Sequence, residues 1–433
     1  MRISPSGAAA LVALGLIAAG AALAVAAVPW SAAVAPWADL RPGTVALAPA
    51  LVGEIEAYAE AAWLPATLAL VAGAALAVAV LAVPALDRRR VGGAVPLGDP
   101  GRGPEPRRGL LGVADRMGRG HRWIGDLALA ALLLMAVCCA RLPFDLWLAA
   151  VRRDHGLLLE PWSSWAVRWL AYAAIDVVLG ATACTLVLAC ARRWPRRWWP
   201  GFIVGAAAAA FALSYAVPLT QVAEGTRSAP DLEGRVQAIA ERAGVDVGTV
   251  LVAETSDRSP ALNATVSGLG PSRTVTVYDT VLDRARPAEI EALIAHELVH
   301  VRENDVLLGT ALAAIGAAAL AAVASALMLS GAVQRRLGAS GPGDTVMVAV
   351  LVAVALVGSL VATPLAATMS RALEWRADRE AMAITGDPEA YASLMATLAA
   401  ANKSTLEPPR WRYALLFTHP TPPQRMAAAE EMR

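Results

Sequence analysis

The most informative segment of the chain reads Ala295-His296-Glu297-Leu298-Val299-His300. Positions four apart on a helix share one face, so both imidazoles can reach a single metal ion. Glu297, one residue along, can sit over that metal and take a proton from a bound water. The chain has only 5 histidines in 433 residues, so a chance H-E-x-x-H is rare. The segment therefore predicts a helix that carries a metal-dependent hydrolytic site.

The composition is typical of a membrane protein. Hydrophobic residues make up 57% of the chain and charged residues 17%, whereas a soluble domain is nearer half apolar and a quarter charged. The net charge of +1 suggests no nucleic-acid partner. The cysteines lie in apolar stretches without metal-site spacing, which favours small buried hydrophobic side chains. They are Cys138, Cys139, Cys184 and Cys190.

Apolar runs of about twenty residues are long enough to cross the hydrocarbon core as helices. The first run could instead be a secretory signal, since Arg2 precedes it and small residues follow. Its length favours an uncleaved span. We therefore predict seven spans, at about 8–29, 62–86, 124–150, 166–191, 200–223, 305–332 and 345–369.

The polar segments divide the chain into four parts. A helix ending at Gly244, strands at 250–253 and 274–278, and a helix opened by Pro287 make residues 224–304 a small α+β unit. A polar helix over 370–384 and another over 388–401 follow the last span. The predicted parts are 1–223 with five spans and an irregular Arg-rich loop at 87–123, 224–304 with the H-E-x-x-H helix, 305–369 with two spans, and 370–433.

A catalytic zinc ion needs a third protein ligand and one open position for water. His419 could supply that ligand, but a better candidate lies just beyond the last span. Glu374 and Asp378 are four residues apart and share a helix face. One carboxylate can bind the metal while the other orients a ligand histidine.

The motifs together resemble the integral-membrane CAAX prenyl protease family, type 1, in the same clan as the heat-shock membrane peptidase HtpX. That family carries A-H-E-x-x-H, two spans, E-x-x-x-D and a late H-P with a following Arg. It also has an Asn-Ala pair before the active helix. The matching positions here are His296, Glu297, His300, Glu374, Asp378, His419-Pro420, Arg425 and Asn263-Ala264. The likeness covers about residues 140–430.

This resemblance implies a mainly α integral-membrane fold with a small α+β, gluzincin-like zinc metallopeptidase domain around the H-E-x-x-H helix. It implies one zinc ion held by His296, His300 and Glu374, with Glu297 as general base. Asp378 would be an accessory acid or would orient a ligand. Asn263 and His419 would steady the oxyanion, and substrate would add as a β-strand near Asn263.

Three departures from the family pattern bear on substrate selection more than on metal binding. Val299 stands where the family usually has Gly, and Thr265 replaces the usual aromatic after Asn-Ala. The segment after His300, residues 301–305, lacks the usual additional histidines.

The arginine-rich segments predict the orientation in the membrane. Segments 87–123, 192–198 and 334–336 fall on one side of the seven predicted spans, and the positive-inside rule assigns them to the cytoplasm. The catalytic part and the C-terminal tail would then face outward. In eukaryotic members of the family the catalytic domain faces the cytosol, so the two arguments disagree. We expect a multi-pass protein of the bacterial cell membrane and favour the charge argument.

The function predicted from the sequence is a zinc endopeptidase that cuts membrane-associated, lipidated or misfolded proteins. The alternative is a transporter, or a sensor or regulatory protein, with a non-proteolytic metal site. A transporter would need functional charges along several spans, and only Asp126 and Asp176 qualify. An intramembrane site-two type of protease is weaker, because His296 and His300 lie on a charged helix.

Overall fold

The computed structural model describes residues 4–30, 47–90, 121–222, 225–268 and 273–433. It is mainly helical with one small sheet, as the sequence predicts. In chain order the elements are α1 (Pro5–Ala27), α2 (Pro49–Arg90), α3 (Arg122–Asp154), α4 (Trp162–Arg193), α5 (Trp198–Val222), β1 (Thr226–Ser228), α6 (Pro230–Ala243), β2 (Thr249–Ala253), β3 (Ala264–Ser267), β4 (Thr274–Tyr278), α7 (Asp279–Arg284), α8 (Pro287–Arg302), α9 (Asp305–Leu329), α10 (Gly331–Leu337), α11 (Val348–Thr385), α12 (Pro388–Asn402), α13 (Arg410–Leu416) and α14 (Pro422–Glu431).

The membrane-spanning helices agree broadly with the seven predicted spans. Within the described ranges, 6 helices are long and apolar enough to cross a bilayer. They are α1, the Pro49–Leu81 part of α2, α3, α4, α9 and the Thr345–Thr385 helix that contains α11. The predicted span at 200–223 corresponds to α5, in which the stretch Trp198–Ser214 is apolar.

The predicted loop at 87–123 begins later than expected. Helix α2 continues to Arg90, so the first residues assigned to that loop are helical. Residues 91–120 of the loop lie outside the described residues.

The largest correction concerns α11. The sequence predicts a span that ends at residue 369 and a separate polar helix from Ser370, but the structure has one helix of 38 residues over Val348–Thr385. No glycine or proline stands at that boundary, so nothing interrupts the backbone hydrogen bonds there. Even Pro364, within the apolar half, leaves the helix continuous. Residues 370–385 therefore belong to the same continuous helix as the membrane-spanning segment that precedes them.

Small residues let the membrane helices approach closely. Gly20 of α1 faces Ile315 of α9, and Gly358 of α11 faces Leu320 of α9. A side chain at either glycine would meet the neighbouring helix, as is common at contacts between membrane helices. Helix α9 therefore packs against both α1 and α11.

One buried charge ties three of these helices together. Asp126, near the start of α3, is fully buried and pairs with Arg192 near the end of α4. Its other oxygen accepts from Thr345 Oγ1 at 2.8 Å, in the 3-10 turn that precedes α11. The pairing compensates the cost of burying the carboxylate. Asp176, by contrast, is exposed and lines a cavity between α3 and α4.

The soluble part contains a four-stranded sheet in the order β1-β2-β4-β3. Strands β2 and β4 are parallel, and β1 and β3 pair antiparallel with β2 and β4 respectively. The predicted strands at 250–253 and 274–278 are β2 and β4 and are confirmed. Strands β1 and β3 were not predicted, because they are only 3 and 4 residues long and show little alternation. Strand β3 forms one edge of the described sheet.

Candidate active site

Helix α8 carries the H-E-x-x-H motif and is anchored in the core of the soluble part. Pro287 begins its first turn, and Glu289 Oε2 accepts from the backbone N–H of Arg286 at 2.9 Å. Ile294 and Leu298 are fully buried in the core that α8 shares with the sheet. The opposite face, with both histidines, is therefore held in a defined orientation.

The side chains of three potential metal ligands, from two helices, converge above that face. His296 and His300 Nε2 lie 3.2 Å apart. Glu374, which α11 carries beyond the bilayer crossing, has Oε2 3.3 Å from His296 Nε2 and Oε1 3.6 Å from His300 Nε2. His296 is 5% exposed and Glu374 7%. The structure therefore brings together the three residues that the sequence analysis assigns to the metal.

Two observations indicate that His296, His300 and Glu374 can bind one metal ion. Donors at about 2.0–2.1 Å around a tetrahedral ion lie about 3.3 Å from one another. The two imidazole nitrogens are 3.2 Å apart, and Glu374 approaches them with two different oxygens, at 3.3 and 3.6 Å. One donor atom from each residue lies within 4.8 Å of the others. In addition, Glu374 Oε2 is buried without a hydrogen-bond partner among the described residues. Arg425 Nη2, at 3.7 Å, is too far away to donate a hydrogen bond to this oxygen, so the oxygen can take a metal ion as its partner.

The electrostatic environment also favours a cation. Burial lowers the pKa of His296, but the carboxylates of Asp378 and Glu374 outweigh it and raise that pKa to about 10. The same negative potential that stabilises an imidazolium stabilises a metal ion in its place.

Glu297 lies in the same open groove as the three donors. Its side chain is partly buried, and burial raises its pKa above the usual value, while His296 and His300 act in the opposite direction. A carboxylate with a raised pKa is a better proton acceptor near neutral pH than an ordinary surface glutamate.

His419 and Asn263 line this groove, which has a volume of about 910 Å³. His419 Nε2 is 3.2 Å from Glu374 Oε1, and Thr418 Oγ1 is 2.9 Å from its Nδ1. Asn263 immediately precedes edge strand β3 and is exposed. The neighbouring Leu262 is held by the side chain of Asn402 through bonds of 2.8 and 3.2 Å.

Asp378 lies behind His296 and not in the groove. Its Oδ1 is 3.0 Å from His296 Nδ1, and the residue is fully buried. Arg425 Nε donates to Asp378 Oδ2 at 2.9 Å and to Tyr391 Oη at 3.1 Å. This geometry suits a group that orients the imidazole, since a carboxylate on Nδ1 leaves Nε2 free for a metal.

The sequence profile described as "Peptidase family M48" matches residues 226–433. This part of the chain is similar to that family. The match contains every residue of the site described above. The resemblance to integral-membrane metallopeptidases predicted from the motifs is thereby confirmed.

Bacterial relatives match part of the chain. A "Protease HtpX homolog" of Ralstonia nicotianae is 32% identical over 169 residues, which is 39% of this chain and 55% of that protein. The "Uncharacterized metalloprotease YhfN" of Bacillus subtilis is 26% identical over 208 residues, 46% of this chain and 48% of that protein. The chain thus spans about half the length of the curated relatives it matches.

The whole fold matches a solved membrane protein. "Crystal Structure of S. mikatae Ste24p" aligns with a TM-score of 0.70, over 99% of this chain and 100% of that one, at 14% identity. At that identity the likeness shows the fold. Together with the apolar helices, this fold indicates a multi-pass integral membrane protein.

One residue of the site has no role in the sequence analysis. Asp305 Oδ2 lies 2.9 Å from His300 Nδ1. A signal was present, because Asn304 between two helical patterns favours a left-handed turn that brings the next residue back toward the first helix. The structure has Asn304 in that conformation, with φ 58°.

Proposed function

We propose that this protein is a membrane-embedded, zinc-dependent endopeptidase that hydrolyses peptide bonds of membrane-associated, lipidated or misfolded proteins through a zinc-activated water. The convergence of His296, His300 and Glu374, with donors 3.2–3.6 Å apart beside Glu297 in one open groove, carries the proposal. Similarity to the M48 family and to proteins named as metalloproteases supports it.

One zinc ion per chain would be held by His296, His300 and Glu374, the His₂Glu donor set of known zinc hydrolases. When bound, the ion lowers the pKa of its water to about 7 and polarises the scissile carbonyl. Asp378, held by Arg425, orients the imidazole of His296. We prefer this role to that of accessory acid, because Asp378 is fully buried outside the groove.

Glu297 is the proton carrier of the proposed reaction. It accepts the proton of the attacking water and passes it to the leaving amine, so the same carboxyl acts first as base and then as acid. Burial raises the pKa of Glu297 above its usual value, which favours proton acceptance by its carboxylate. No other carboxylate lines the groove apart from the ligand Glu374, among the residues that the structure describes.

His419 and Asn263 would steady the oxyanion and the substrate backbone. Both line the groove, and both carry hydrogen-bond donors in their side chains. Strand β3, which follows Asn263, has one unpaired edge in the described sheet. A substrate segment can add to such an edge through backbone hydrogen bonds, which requires no particular side-chain sequence.

The test compares the wild type with Glu297→Gln and with Glu291→Gln, a control on the same helix. Zinc content is measured in purified, detergent-solubilised protein, and cleavage is measured on a quenched-fluorescence peptide library. We expect about one zinc per chain in all three, and a loss of cleavage of at least about 100-fold only in Glu297→Gln. Equal cleavage by Glu297→Gln and wild type would refute the assigned base.

The positive-inside rule supports an outward-facing catalytic part in a bacterial cell membrane. Arg192, Arg193, Arg335 and Arg336 lie at the helix ends opposite the catalytic part along α4 and near α9. A reporter fused after Arg433 tests the orientation. Alkaline phosphatase fused there should be active, and activity of a cytoplasmic reporter instead would reverse the assignment.

A further inference from the structure

The junction between α8 and α9 joins the catalytic helix directly to a membrane helix. α8 ends at Arg302 and α9 starts at Asp305, so only two residues separate them. Asn304 makes the reversal with φ 58° and ψ 34°, a left-handed conformation that Asn tolerates better than most side chains. This turn directs Asp305, the first residue of a membrane helix, toward the site.

Both carboxylate oxygens of Asp305 are engaged, and the residue is only 6% exposed. Oδ2 lies 2.9 Å from His300 Nδ1. Oδ1 accepts from Arg376 of α11, and Arg376 Nη1 is also 3.5 Å from Glu303 Oε2. The carboxylate is therefore held from both sides and has one orientation toward the imidazole.

We propose that Asp305 is a positioning residue for the metal site, and that Arg376 acts through it. The inference rests on the proposed function, because it requires His300 to be a metal ligand. A carboxylate has no proton to donate, so His300 Nδ1 must donate to Asp305. That choice of tautomer leaves the lone pair of Nε2 directed at the metal position.

The arrangement repeats, with different residues, what Asp378 and Arg425 do for His296. Each ligand histidine has a carboxylate 2.9–3.0 Å from Nδ1, and each carboxylate is paired with an arginine. The Asp378 pair is completed by α14, in the soluble part. The Asp305 pair is completed by α9 and α11 alone, so the second histidine is held by the two membrane helices.

A purely structural role makes a different prediction. The ion pair between Asp305 and Arg376 could serve only to hold α9 against α11. The chain offers a matched control, because Arg302 of α8 pairs with Glu380 of α11 one turn further along without contacting a ligand. Glu380→Gln therefore breaks a bridge to the same helix and leaves the imidazoles untouched.

The experiment measures zinc affinity of the purified full chain by competition with a chromophoric chelator. Asp305→Asn should bind zinc about 10–100-fold more weakly than the wild type, since removal of a partner of a ligand histidine has that effect. Glu380→Gln should stay within about 2-fold. Arg376→Gln should weaken binding in the wild-type background and add little in Asp305→Asn, because both act through one carboxylate.

Two further readouts separate positioning from folding. The thermal unfolding temperature of the metal-free protein should fall more for Asp305→Asn than for Glu380→Gln, because Asp305 is more deeply buried, so zinc affinity is compared at a temperature where every variant is folded. The visible absorption of the cobalt(II)-substituted protein, which reports ligand geometry, should change in Asp305→Asn and not in Glu380→Gln. Zinc affinity and a cobalt spectrum unchanged in Asp305→Asn would overturn the inference, whereas failure of the wild type to bind zinc would overturn the proposed function itself.

Discussion

Arg425 is the residue whose loss should destabilise the soluble part most sharply. Its Nε is 2.9 Å from Asp378 Oδ2 and 3.1 Å from Tyr391 Oη, and Asp378 is fully buried. Arg425→Met keeps much of the apolar volume but leaves the Asp378 carboxylate without its arginine, with the His296 imidazole as its remaining ion-pair partner. Removing one partner of a buried ion pair costs about 3–5 kcal/mol. We expect the free energy of unfolding to fall by that amount.

Urea unfolding of the detergent-solubilised protein, followed by tryptophan fluorescence, measures this loss. Arg433→Met is the control, because Arg433 pairs with Glu389 at 3.8 Å on the surface, where a pair contributes at most about 1 kcal/mol. The double variant Asp378→Asn/Arg425→Met should lose less than the sum of the two single losses, since no unpaired charge remains. Equal unfolding midpoints for Arg425→Met and Arg433→Met would refute the reasoning.

Two other predictions concern stability away from the metal. Asp279 is partly buried, which raises its pKa, but hydrogen bonds from Ser256 and from the Thr255 backbone outweigh burial and lower the pKa to about 2. Its contribution is therefore present above about pH 4 and lost as the pH falls toward 2. Asp279→Asn should lower stability by about 1–2 kcal/mol at pH 7, and the difference from the wild type should shrink as the pH falls from about 4 through 2. A difference that is as large at pH 2 as at pH 7 contradicts this. A Cβ at Gly343 would lie 2.8 Å from the backbone nitrogen of Arg192, while one at Gly341 would meet nothing within 4 Å. Gly343→Ala should therefore lower the free energy of unfolding by about 1–3 kcal/mol. If the unfolding temperature falls no more than in Gly341→Ala, the turn at Gly343 accommodates the added methyl group and the prediction is wrong.

The parts that the sequence predicted well are those whose signal is local. Apolar runs indicated the membrane helices, and proline and glycine marked the ends of α6 and α8. The spacing within H-E-x-x-H and E-x-x-x-D, together with the family resemblance, indicated the three donor residues that the fold brings together. Their roles in metal binding and catalysis stay predictions.

The parts that were missed depend on contacts between distant segments. Strands β1 and β3 are too short to show a period, and they exist because β2 and β4 offer edges to pair with. The continuity of α11 was missed because the composition changes from apolar to polar near residue 370, and such a change also occurs where a membrane helix ends. The role of Asp305 was missed because its orientation depends on Arg376, 71 residues later in the chain. It also depends on the left-handed backbone conformation of Asn304.

X-ray absorption at the zinc edge of the purified wild-type protein tests the central assignment most directly. We expect two imidazole nitrogens and oxygen neighbours at about 2.0–2.2 Å, with the imidazole signal retained and zinc binding weakened in Glu374→Gln. Sulfur neighbours at about 2.3 Å, or zinc binding in Glu374→Gln as tight as in the wild type, would contradict the account.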